Sequence, residues 1–335
     1  MKIKLQQAAD VLQKADEVLV LSHKSPDGDT LGSASALCTA LQRMGKHVRF
    51  ACSDPVVPKY ENLFAELKTE EFEPNFIVAV DIADTQLLGK ETEQYKDSID
   101  LAIDHHMSHK EYAKMSYVDS TAASTTQVIY ELFCMMGVTI DKQIANCLYT
   151  GLCTDTGCFR YSNTSATTLR IAASLMDAGA DVAEINRIMF DTKSRARLNV
   201  ERLAMESITF YENGRFDIME ITEEMMKQSG ATEGDIEGLA ALPRQVEGVL
   251  IAATLREKKE GGYKISVRAT PPYDASAICS QFGGGGHKGA AGCVIEDEKE
   301  TVKKRLAEAV SNYFRSQEMC IRDRLYAVQT KVCWQ

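Results

Sequence analysis

The residues of this sequence that could do chemistry are carboxylates and imidazoles, and most of them directly follow short apolar runs. The first run, Val18–Leu21, leads into a polar loop that contains Pro26 and Gly28. Three residues of this loop could bind a metal ion: His23, Asp27 and Asp29. The proline stiffens the loop and the glycine allows a tight turn, so the three side chains can converge. Taken alone, the loop is equally compatible with a polar turn that caps a helix.

Three later segments repeat this arrangement. Asp81 ends the apolar run that begins at Ile77, Asp155 follows an apolar helix, and Asp104-His105-His106 follows Leu101–Ile103. Ligands of open α/β sheets gather at the carboxyl ends of strands. An apolar strand that ends in an acid and two imidazoles has few structural reasons to exist, because buried charge is costly unless it is paired or bound to a metal. This triplet therefore favours a functional interpretation, whereas Asp81 alone could be a helix cap.

Together, these carboxylates and imidazoles indicate phosphoryl hydrolysis. Two divalent ions about 3.5–4 Å apart, bridged by one carboxylate, are the arrangement that such hydrolysis uses. A ligand set rich in oxygen, with fewer imidazoles, suits Mn²⁺ better than zinc, and Mg²⁺ or Co²⁺ stay open as alternatives. The remaining candidates, His47 and His109, are expected to be plain surface residues.

A second group of polar residues lies towards the carboxyl end of the chain. A run of four glycines ends at His287, and consecutive glycines let backbone N–H groups point at an anion. Arg268, on a predicted strand, is another candidate anion ligand. The alternatives are a flexible turn and an ordinary exposed arginine. The candidate substrate-binding residues are Arg268, Gly284, Gly285, Gly286 and His287.

Hydrophobic patterning predicts two domains. From Val18 to about Asp191, short apolar runs alternate with helical periods, which is typical of a parallel sheet flanked by helices, an α/β fold. After a helical connector, three predicted strands and short helices indicate a smaller α+β domain. The predicted strands are Phe216–Ile221, Val249–Glu257 and Tyr263–Ala269. We predict domains at 1–191 and 212–317, a connector at 192–211, and a disordered or foreign tail at 318–335.

The composition limits the possible partners. Of the 335 residues, 44% are hydrophobic and 26% are charged, as in ordinary globular proteins. No signal peptide and no membrane-spanning stretch is evident, so we expect a cytoplasmic protein without a membrane partner. A formal net charge of −10 argues against binding along a nucleic-acid duplex, which needs a basic surface. We therefore expect small nucleotides or short single-stranded oligonucleotides as partners.

The motifs in their order resemble those of a known family. His23-x-x-Pro26-Asp27-x-Asp29, then Asp81, then Asp104-His105-His106, then Asp155, resemble the motifs of the DHH phosphoesterases. The glycines that precede His287 resemble the glycine-rich motif of the DHHA1 domain. The resemblance spans about Val18 to Phe314, and it implies a DHH domain followed by a DHHA1 domain.

The resemblance also implies roles for single residues. One metal ion would be held by His23, Asp27 and Asp81. The other would be held by Asp29, Asp81, His105 and Asp155, so that Asp81 bridges the two ions. His106 would contact the scissile phosphate and Asp104 would support the cluster. Arg268 and His287 would bind the far end of the substrate.

The activity that the resemblance implies is hydrolysis of short oligoribonucleotides and of 3′-phosphoadenosine 5′-phosphate (pAp) to mononucleotides. Size and layout look most like the stand-alone members that combine oligoribonuclease and pAp phosphatase activities. Cleavage of cyclic di-AMP or of its linear product pApA is the alternative, and a non-catalytic nucleotide-binding module is a distant one. A family II pyrophosphatase and a RecJ-type exonuclease are disfavoured, because the basic motif of the former and the extra domain of the latter are missing. A homodimer stays open.

Overall fold

The computed structural model describes residues 1–236 and 238–332, except for the side chains of residues 318–332. The chain divides into two compact units: the first spans Met1–Thr192, and the second starts at Lys193. The tail predicted from residue 318 falls on residues whose side chains are not described, and residues 333–335 lie outside the described residues altogether. That tail stays a prediction.

The first unit is built on a parallel sheet, which confirms the predicted α/β fold. In the part of the chain that the structure describes, this sheet has five strands in the order β2-β1-β3-β4-β5. The strands are β1 (Val18–Leu21), β2 (Val48–Ala51), β3 (Phe76–Val80), β4 (Leu101–Asp104) and β5 (Met115–Val118). All the pairings are parallel. The short strand β5, at the edge of the sheet, was not predicted from the sequence.

Helices cover one face of this sheet. They are α1 (Leu5–Lys14), α2 (Gly28–Arg43), α3 (Thr125–Met136), α4 (Lys142–Asp155), α5 (Ala166–Asp177) and α6 (Val182–Asn186). Val18, Val20 and Val80 of the sheet belong to the same buried cluster as these helices. The opposite face, which includes Leu19 and Ala79, packs against loops and 3-10 turns. Because both faces are covered, the strands are apolar without alternation.

Polar residues that precede the helices fix where they begin. Asp27 accepts hydrogen bonds from the backbone N–H groups of Asp29 and Thr30 and so caps α2. Ser124 and Asp141 cap α3 and α4 in the same way. These caps are encoded locally, and therefore the sequence predicts the helix starts well.

Glycines let α2 approach α4 and α3 closely. A Cβ atom on Gly32 would collide with the backbone carbonyl oxygen of Cys147. A Cβ atom on Gly151 would lie 2.7 Å from Asp29 Oδ1. The close approach brings the end of α4, with Asp155, to the first turn of α2, with Asp29.

The second unit contains a mixed sheet with helices. Its elements are α7 (Arg195–Glu206), β6 (Thr209–Tyr211), β7 (Phe216–Ile221), α8 (Glu223–Ser229), β8 (Ile251–Glu257), β9 (Tyr263–Ala269), α9 (Ala275–Cys279), β10 (Gly285–His287), β11 (Ala290–Ile295) and α10 (Lys299–Val332). Among the described residues the strand order is β10-β11-β9-β8-β7-β6, and the β7–β8 pair is the parallel one. The range predicted as a helical connector, 192–211, contains α7 and β6. The smaller α+β domain is confirmed.

One face of the second sheet packs on α9 and α10. The α10 residues Val302, Leu306 and Val310 belong to the same buried cluster as Ile251 and Ile265 of the sheet. A separate apolar cluster joins α7 to the opposite face of β7. None of the described helices is both long and apolar enough to cross a membrane.

Candidate metal centre

The predicted metal ligands of the first unit lie together at the carboxyl edge of its sheet. His23 follows β1, Asp81 follows β3, and Asp104-His105 ends β4. These three strands are neighbours, in the order β1-β3-β4. Because parallel strands end at the same edge, residues far apart in sequence meet there.

Asp81 occupies the middle of this cluster. Its Oδ2 atom lies 3.7 Å from His23 Nε2, and its Oδ1 atom lies 3.7 Å from His105 Nε2. The residue is 2% exposed and has a backbone φ of 60°. A left-handed backbone is uncommon and costs energy for a residue other than glycine, so surrounding contacts must hold it in place. The carboxylate thus presents one oxygen to each of two imidazoles.

The first turn of α2 and the last residue of α4 complete the cluster. Asp27 Oδ1 lies 3.8 Å from His23 Nε2. On the other side, Asp29 Oδ2 and Asp155 Oδ2 lie 3.8 Å and 3.5 Å from His105 Nε2. The donors form two sets that lie on either side of Asp81, one around His23 and one around His105.

These donor sets have the size of metal sites. His23, Asp27 and Asp81 each offer one ligand atom within 4.8 Å of the others, and so do Asp29, His105 and Asp155. A third set that meets the same distance combines Asp81, His105 and His106. Carboxylates with a minority of imidazole are ligands that Mn²⁺ or Mg²⁺ accepts.

The electrostatics of the cluster also favour a bound cation. Burial and the nearby charge of Asp29 raise the pKa of Asp81 well above its ordinary value. Burial, with Asp29 and Asp81, raises the pKa of Asp155 to about 9. Burial alone would lower the pKa of His23, but hydrogen bonds with Asp27 and Asp81 outweigh it and raise the pKa to about 11. A divalent cation would offset the repulsion between these crowded carboxylates and take the place of their protons and of the imidazolium charge. The residues therefore fit a metal.

Asp104 lies behind the cluster and orients His106. Its side chain is fully buried, and Oδ1 accepts hydrogen bonds from His106 Nδ1 at 2.7 Å and from two backbone N–H groups. Burial would raise the pKa of Asp104, but the hydrogen bonds from His106 and His109 hold it well below its usual range. The His106 ring is thereby fixed, with Nε2 on the side away from Asp104; its side chain is 41% exposed.

The predicted substrate-binding residues lie in the second unit. His287 on β10 pairs with Ala290 on β11, which pairs with Arg268 on β9. Residues in register on adjacent strands point to the same face, so His287 and Arg268 share one face of the sheet. Gly284, Gly285 and Gly286 precede His287; a Cβ on Gly284 would collide with the carbonyl oxygen of Gly292. The structure therefore brings Arg268 and the glycine segment together within this unit.

Family profiles match both units. The profile of the DHH family, N-terminal domain, matches residues 17–152, and that of the DHHA1 domain matches residues 218–316. The chain is also 32% identical over 316 residues to the bifunctional oligoribonuclease and PAP phosphatase NrnA of Thermus thermophilus, covering 92% of this chain and 93% of the relative. This chain belongs to the DHH family. The resemblance deduced from the motifs is confirmed.

Solved structures agree with the DHH architecture. A crystal structure of an exopolyphosphatase-related protein from Bacteroides fragilis is 25% identical, with a TM-score of 0.81, and covers 92% of this chain and 96% of that chain. RecJ from Thermus thermophilus, in complex with Mn²⁺, is 15% identical, with a TM-score of 0.54, and covers 92% of this chain and 55% of that chain. The second likeness concerns the fold alone.

Two threonines that sequence reasoning missed contribute to this DHH site. Asp29 Oδ1 accepts hydrogen bonds from Thr126 N at 2.9 Å and Thr126 Oγ1 at 2.8 Å, and Asp29 Oδ2 accepts one from Thr125 N at 2.6 Å. Thr125 Oγ1 donates to Asp81 Oδ1 at 2.8 Å. The start of α3 therefore fixes two of the predicted ligands. The available signal was the pair of threonines after Ser124, which also reads as an ordinary helix start.

The two histidines that were predicted to lie on the surface differ in the structure. The surface prediction for His47 is confirmed, because its side chain is exposed. For His109 it is wrong: the side chain is 3% exposed, and Nδ1 lies 2.6 Å from Asp104 Oδ2. The signal that could have revealed it is a third imidazole only five residues after the acid of a DHH motif.

Proposed function

We propose that this chain is a metal-dependent phosphoesterase that hydrolyses short oligoribonucleotides and pAp to mononucleotides. The observation that carries the proposal is the position of Asp81, which presents one carboxylate oxygen to each of two donor sets. The full-length similarity to a relative named as an oligoribonuclease and PAP phosphatase supports this choice of substrates.

Two divalent ions, with Mn²⁺ preferred, fit this arrangement. His23, Asp27 and Asp81 would hold one ion, whereas Asp29, Asp81, His105 and Asp155 would hold the other. When bound, such a pair supplies a water molecule of lowered pKa and offsets the charge that grows on phosphate oxygens. Thr125 and Thr126 keep Asp29 and Asp81 in the orientation that this requires.

His106 is the residue that we assign to the scissile phosphate. Its Nδ1 atom donates to Asp104, and this hydrogen bond raises the pKa of His106 to about 9. The ring is therefore an imidazolium near neutral pH, and its Nε2–H can donate to a substrate oxygen. A fixed donor aimed at an oxygen where charge develops lowers the barrier without reorganisation during the reaction. Asp104 supports this role from behind and does not itself touch the phosphate.

The second unit supplies binding groups for the rest of the substrate. Arg268 and His287 lie on one face of the sheet, next to Gly284, Gly285 and Gly286. A guanidinium suits a phosphate or a carboxylate, and so do backbone N–H groups that are not used within the fold. Gly284 N already donates to Cys279 O, so it contributes shape and not a donor. A net charge of −10 disfavours long polyanions, so we assign short strands to this chain.

The test is a hydrolysis panel with the purified full chain and Mn²⁺. The substrates are pAp, di- to pentanucleotides of RNA, a long single strand, cyclic di-AMP, pApA and pyrophosphate. We expect release of mononucleotides from pAp and the short strands, with rates per end that fall as the strand grows. Chelation with EDTA should stop the reaction, and added Mn²⁺ should restore it.

Any other order of preference among these substrates would contradict the proposal and assign a different function. Preference for cyclic di-AMP or pApA would assign a dinucleotide phosphodiesterase, and preference for pyrophosphate a pyrophosphatase. Processive degradation of the long strand would assign a RecJ-type exonuclease. Binding without hydrolysis would assign a nucleotide-binding module. The cytoplasmic location and a homodimer stay predictions.

A further inference from the structure

His109 shares the buried carboxylate of Asp104 with His106. His106 Nδ1 bonds to Asp104 Oδ1 at 2.7 Å, and His109 Nδ1 bonds to Asp104 Oδ2 at 2.6 Å. The carboxylate is fully buried and the His109 side chain is 3% exposed. Because a carboxylate only accepts hydrogen bonds, each imidazole donates through Nδ1. One acid therefore orients two rings, one on each oxygen.

Several contacts fix His109 in this position. Its backbone N–H donates to the carbonyl oxygen of His106 at 3.1 Å, which closes a turn. The next residues tie that turn to the segment after Asp81: Lys110 N donates to Ala83 O at 2.8 Å, and Tyr112 Oη donates to Ile82 O at 2.7 Å. The His109 ring also lies 5.1 Å from the Tyr112 ring, centroid to centroid. The imidazole is therefore held in place before any substrate arrives.

Removal of His109 would leave Asp104 Oδ2 without a donor. Among the residues that the structure describes, the two backbone N–H groups that reach this carboxylate bond to Oδ1, and His109 supplies the hydrogen bond to Oδ2. A buried acceptor that loses its partner is destabilised, and more so when it is charged. The carboxylate would relieve this cost by rotating or by taking up a proton. Either change disturbs Oδ1, which holds His106.

We propose that His109 is a positioning residue for phosphate-ester hydrolysis, which acts on His106 through Asp104. The inference rests on the role proposed above for His106. His109 contacts neither the predicted metal ligands nor, by this inference, the substrate. Its function is to complete the hydrogen bonds of Asp104, so that the His106 ring keeps one orientation.

The test compares two substitutions of His109 in the full chain. His109→Leu fills a similar volume without a donor, whereas His109→Asn keeps an N–H donor near the position of Nδ1. For the preferred substrate we expect His109→Leu to lower kcat by about 10- to 100-fold, the range typical of such supporting contacts, with little change in KM. His109→Asn should recover most of the loss. His47→Leu, which makes the same substitution at an exposed histidine of the first unit, is the matched control and should retain activity.

Four further measurements separate positioning from unfolding or metal loss. Thermal unfolding and Mn²⁺ stoichiometry should match wild type within error for His109→Asn, and Mn²⁺ stoichiometry should also do so for His109→Leu. In the metal-free protein, the ¹⁵N shifts of the His106 ring should change in His109→Leu and not in His109→Asn. Added to His106→Ala, His109→Leu should cause no further loss of kcat, because residues that act through one another are not additive.

The outcomes distinguish this inference from the role of His106. Full activity of His106→Ala would overturn the role of His106 and the inference with it. A large loss in His106→Ala together with full activity of His109→Leu would overturn the inference alone. So would equal losses in His109→Leu and His109→Asn, or an additive double variant.

Discussion

Asp104 in the first unit and Asp217 in the second are both fully buried carboxylates, and their surroundings differ completely. Asp104 accepts hydrogen bonds from two imidazoles and two backbone N–H groups, which hold its pKa well below the usual range against the effect of burial. Asp217, on β7, has no hydrogen bond to either side-chain oxygen within the described part of the chain, and burial raises its pKa to about 7. At equal burial, the two pKa values are thus shifted in opposite directions.

This difference matches the division of work that we propose for the two units. The first concentrates carboxylates and supplies the donors that keep Asp104 charged. In the second, Asp217, Ala252, Arg268, Ala290 and His287 lie in one row across the sheet. Below its pKa of about 7, Asp217 is mostly neutral. At about 10 Å from Arg268 across two strand spacings, it then leaves the positive charge of the arginine available to an anion. The predictions below test this division into a unit that reacts and a unit that binds.

The largest effect is expected at the centre of the first unit. Asp81→Ala should lower kcat by about 100-fold or more on every substrate, because the carboxylate that faces both donor sets is lost. The fold should persist, since the side chain contacts the polar groups of His23, His105 and Thr125. The measurements are initial rates with Mn²⁺, metal content and thermal unfolding. Asp97→Ala, which removes an exposed carboxylate from a turn of the same unit, is the control. Retention of more than a few per cent of the activity would contradict the proposed role of Asp81 as the ligand shared by both metal ions.

In the second unit, substitutions should affect binding more than chemistry. Arg268→Ala and His287→Ala should each raise KM for nucleotides by about 10-fold, the value of one charge-assisted hydrogen bond, with a smaller change in kcat. A small generic phosphodiester, which has no distant phosphate to bind, should be hydrolysed nearly as well as by wild type. Lys264→Ala, on the same strand as Arg268, is the control. Equal losses on generic and nucleotide substrates would contradict the division between the units.

An intermediate effect is expected from the threonine that bonds to Asp81. Thr125→Val keeps the volume and the backbone donor to Asp29 but removes the Oγ1 donor to Asp81. Supporting hydrogen bonds of this kind are worth about 10-fold or more in metal affinity or activity. We therefore expect weaker Mn²⁺ binding by titration, with activity that recovers at high Mn²⁺. Thr121→Val, which removes a hydroxyl that donates to half-buried Asp119, should behave like wild type. Unchanged Mn²⁺ affinity in Thr125→Val would show that Asp81 needs no such support.

The sequence predicts much of the fold because its signals are local. Continuous apolar runs reveal β1, β3 and β4, and capping residues such as Ser124 and Asp141 mark the helix starts. The strand β11 was missed because Ala290–Ile295 contains small residues and a glycine. Its buried positions nevertheless alternate. Pairing with β9 and β10 stabilises the strand. Tertiary contacts decide such a segment, not propensity.

In the candidate metal centre, too, residues whose positions depend on tertiary contacts were not predicted. Spacing alone singles out His23, Asp81 and Asp104, since each stands next to the end of an apolar strand. It cannot reveal Thr125, whose partners lie 44 and 96 residues away in the chain. For His109, spacing gives only a third imidazole five residues after Asp104, and the turn that returns this residue to Asp104 is not predicted. Residues that hold the ligands depend on packing, and so only the structure identifies them.

The smallest effect concerns stability alone and tests the neutral state of Asp217. A carboxyl whose folded pKa is about 7, above its ordinary value, binds more protons in the folded state than in the unfolded state. Stability must therefore fall as the pH rises from 3.8, the ordinary pKa of the acid, to about 7. The fall is at most about 4 kcal/mol, since one pKa unit corresponds to about 1.4 kcal/mol. Asp217→Asn stays uncharged at every pH. We expect it to raise the free energy of unfolding at pH values above 8 and to give no such gain near pH 4.

The measurement is chemical unfolding of the full chain, with EDTA present so that bound metal does not contribute. Asp235→Asn is the matched control in the same unit, because hydrogen bonds from Ser194 and the backbone of Thr232 lower the pKa of Asp235. A lowered pKa stabilises the fold above the ordinary value of the acid, so this substitution should lose stability at neutral pH, the opposite sign. If Asp217→Asn destabilised the chain at high pH as Asp235→Asn does, Asp217 would be ionised and paired. The contrast with Asp104 would then fail, and Arg268 would no longer be free of a neighbouring negative charge.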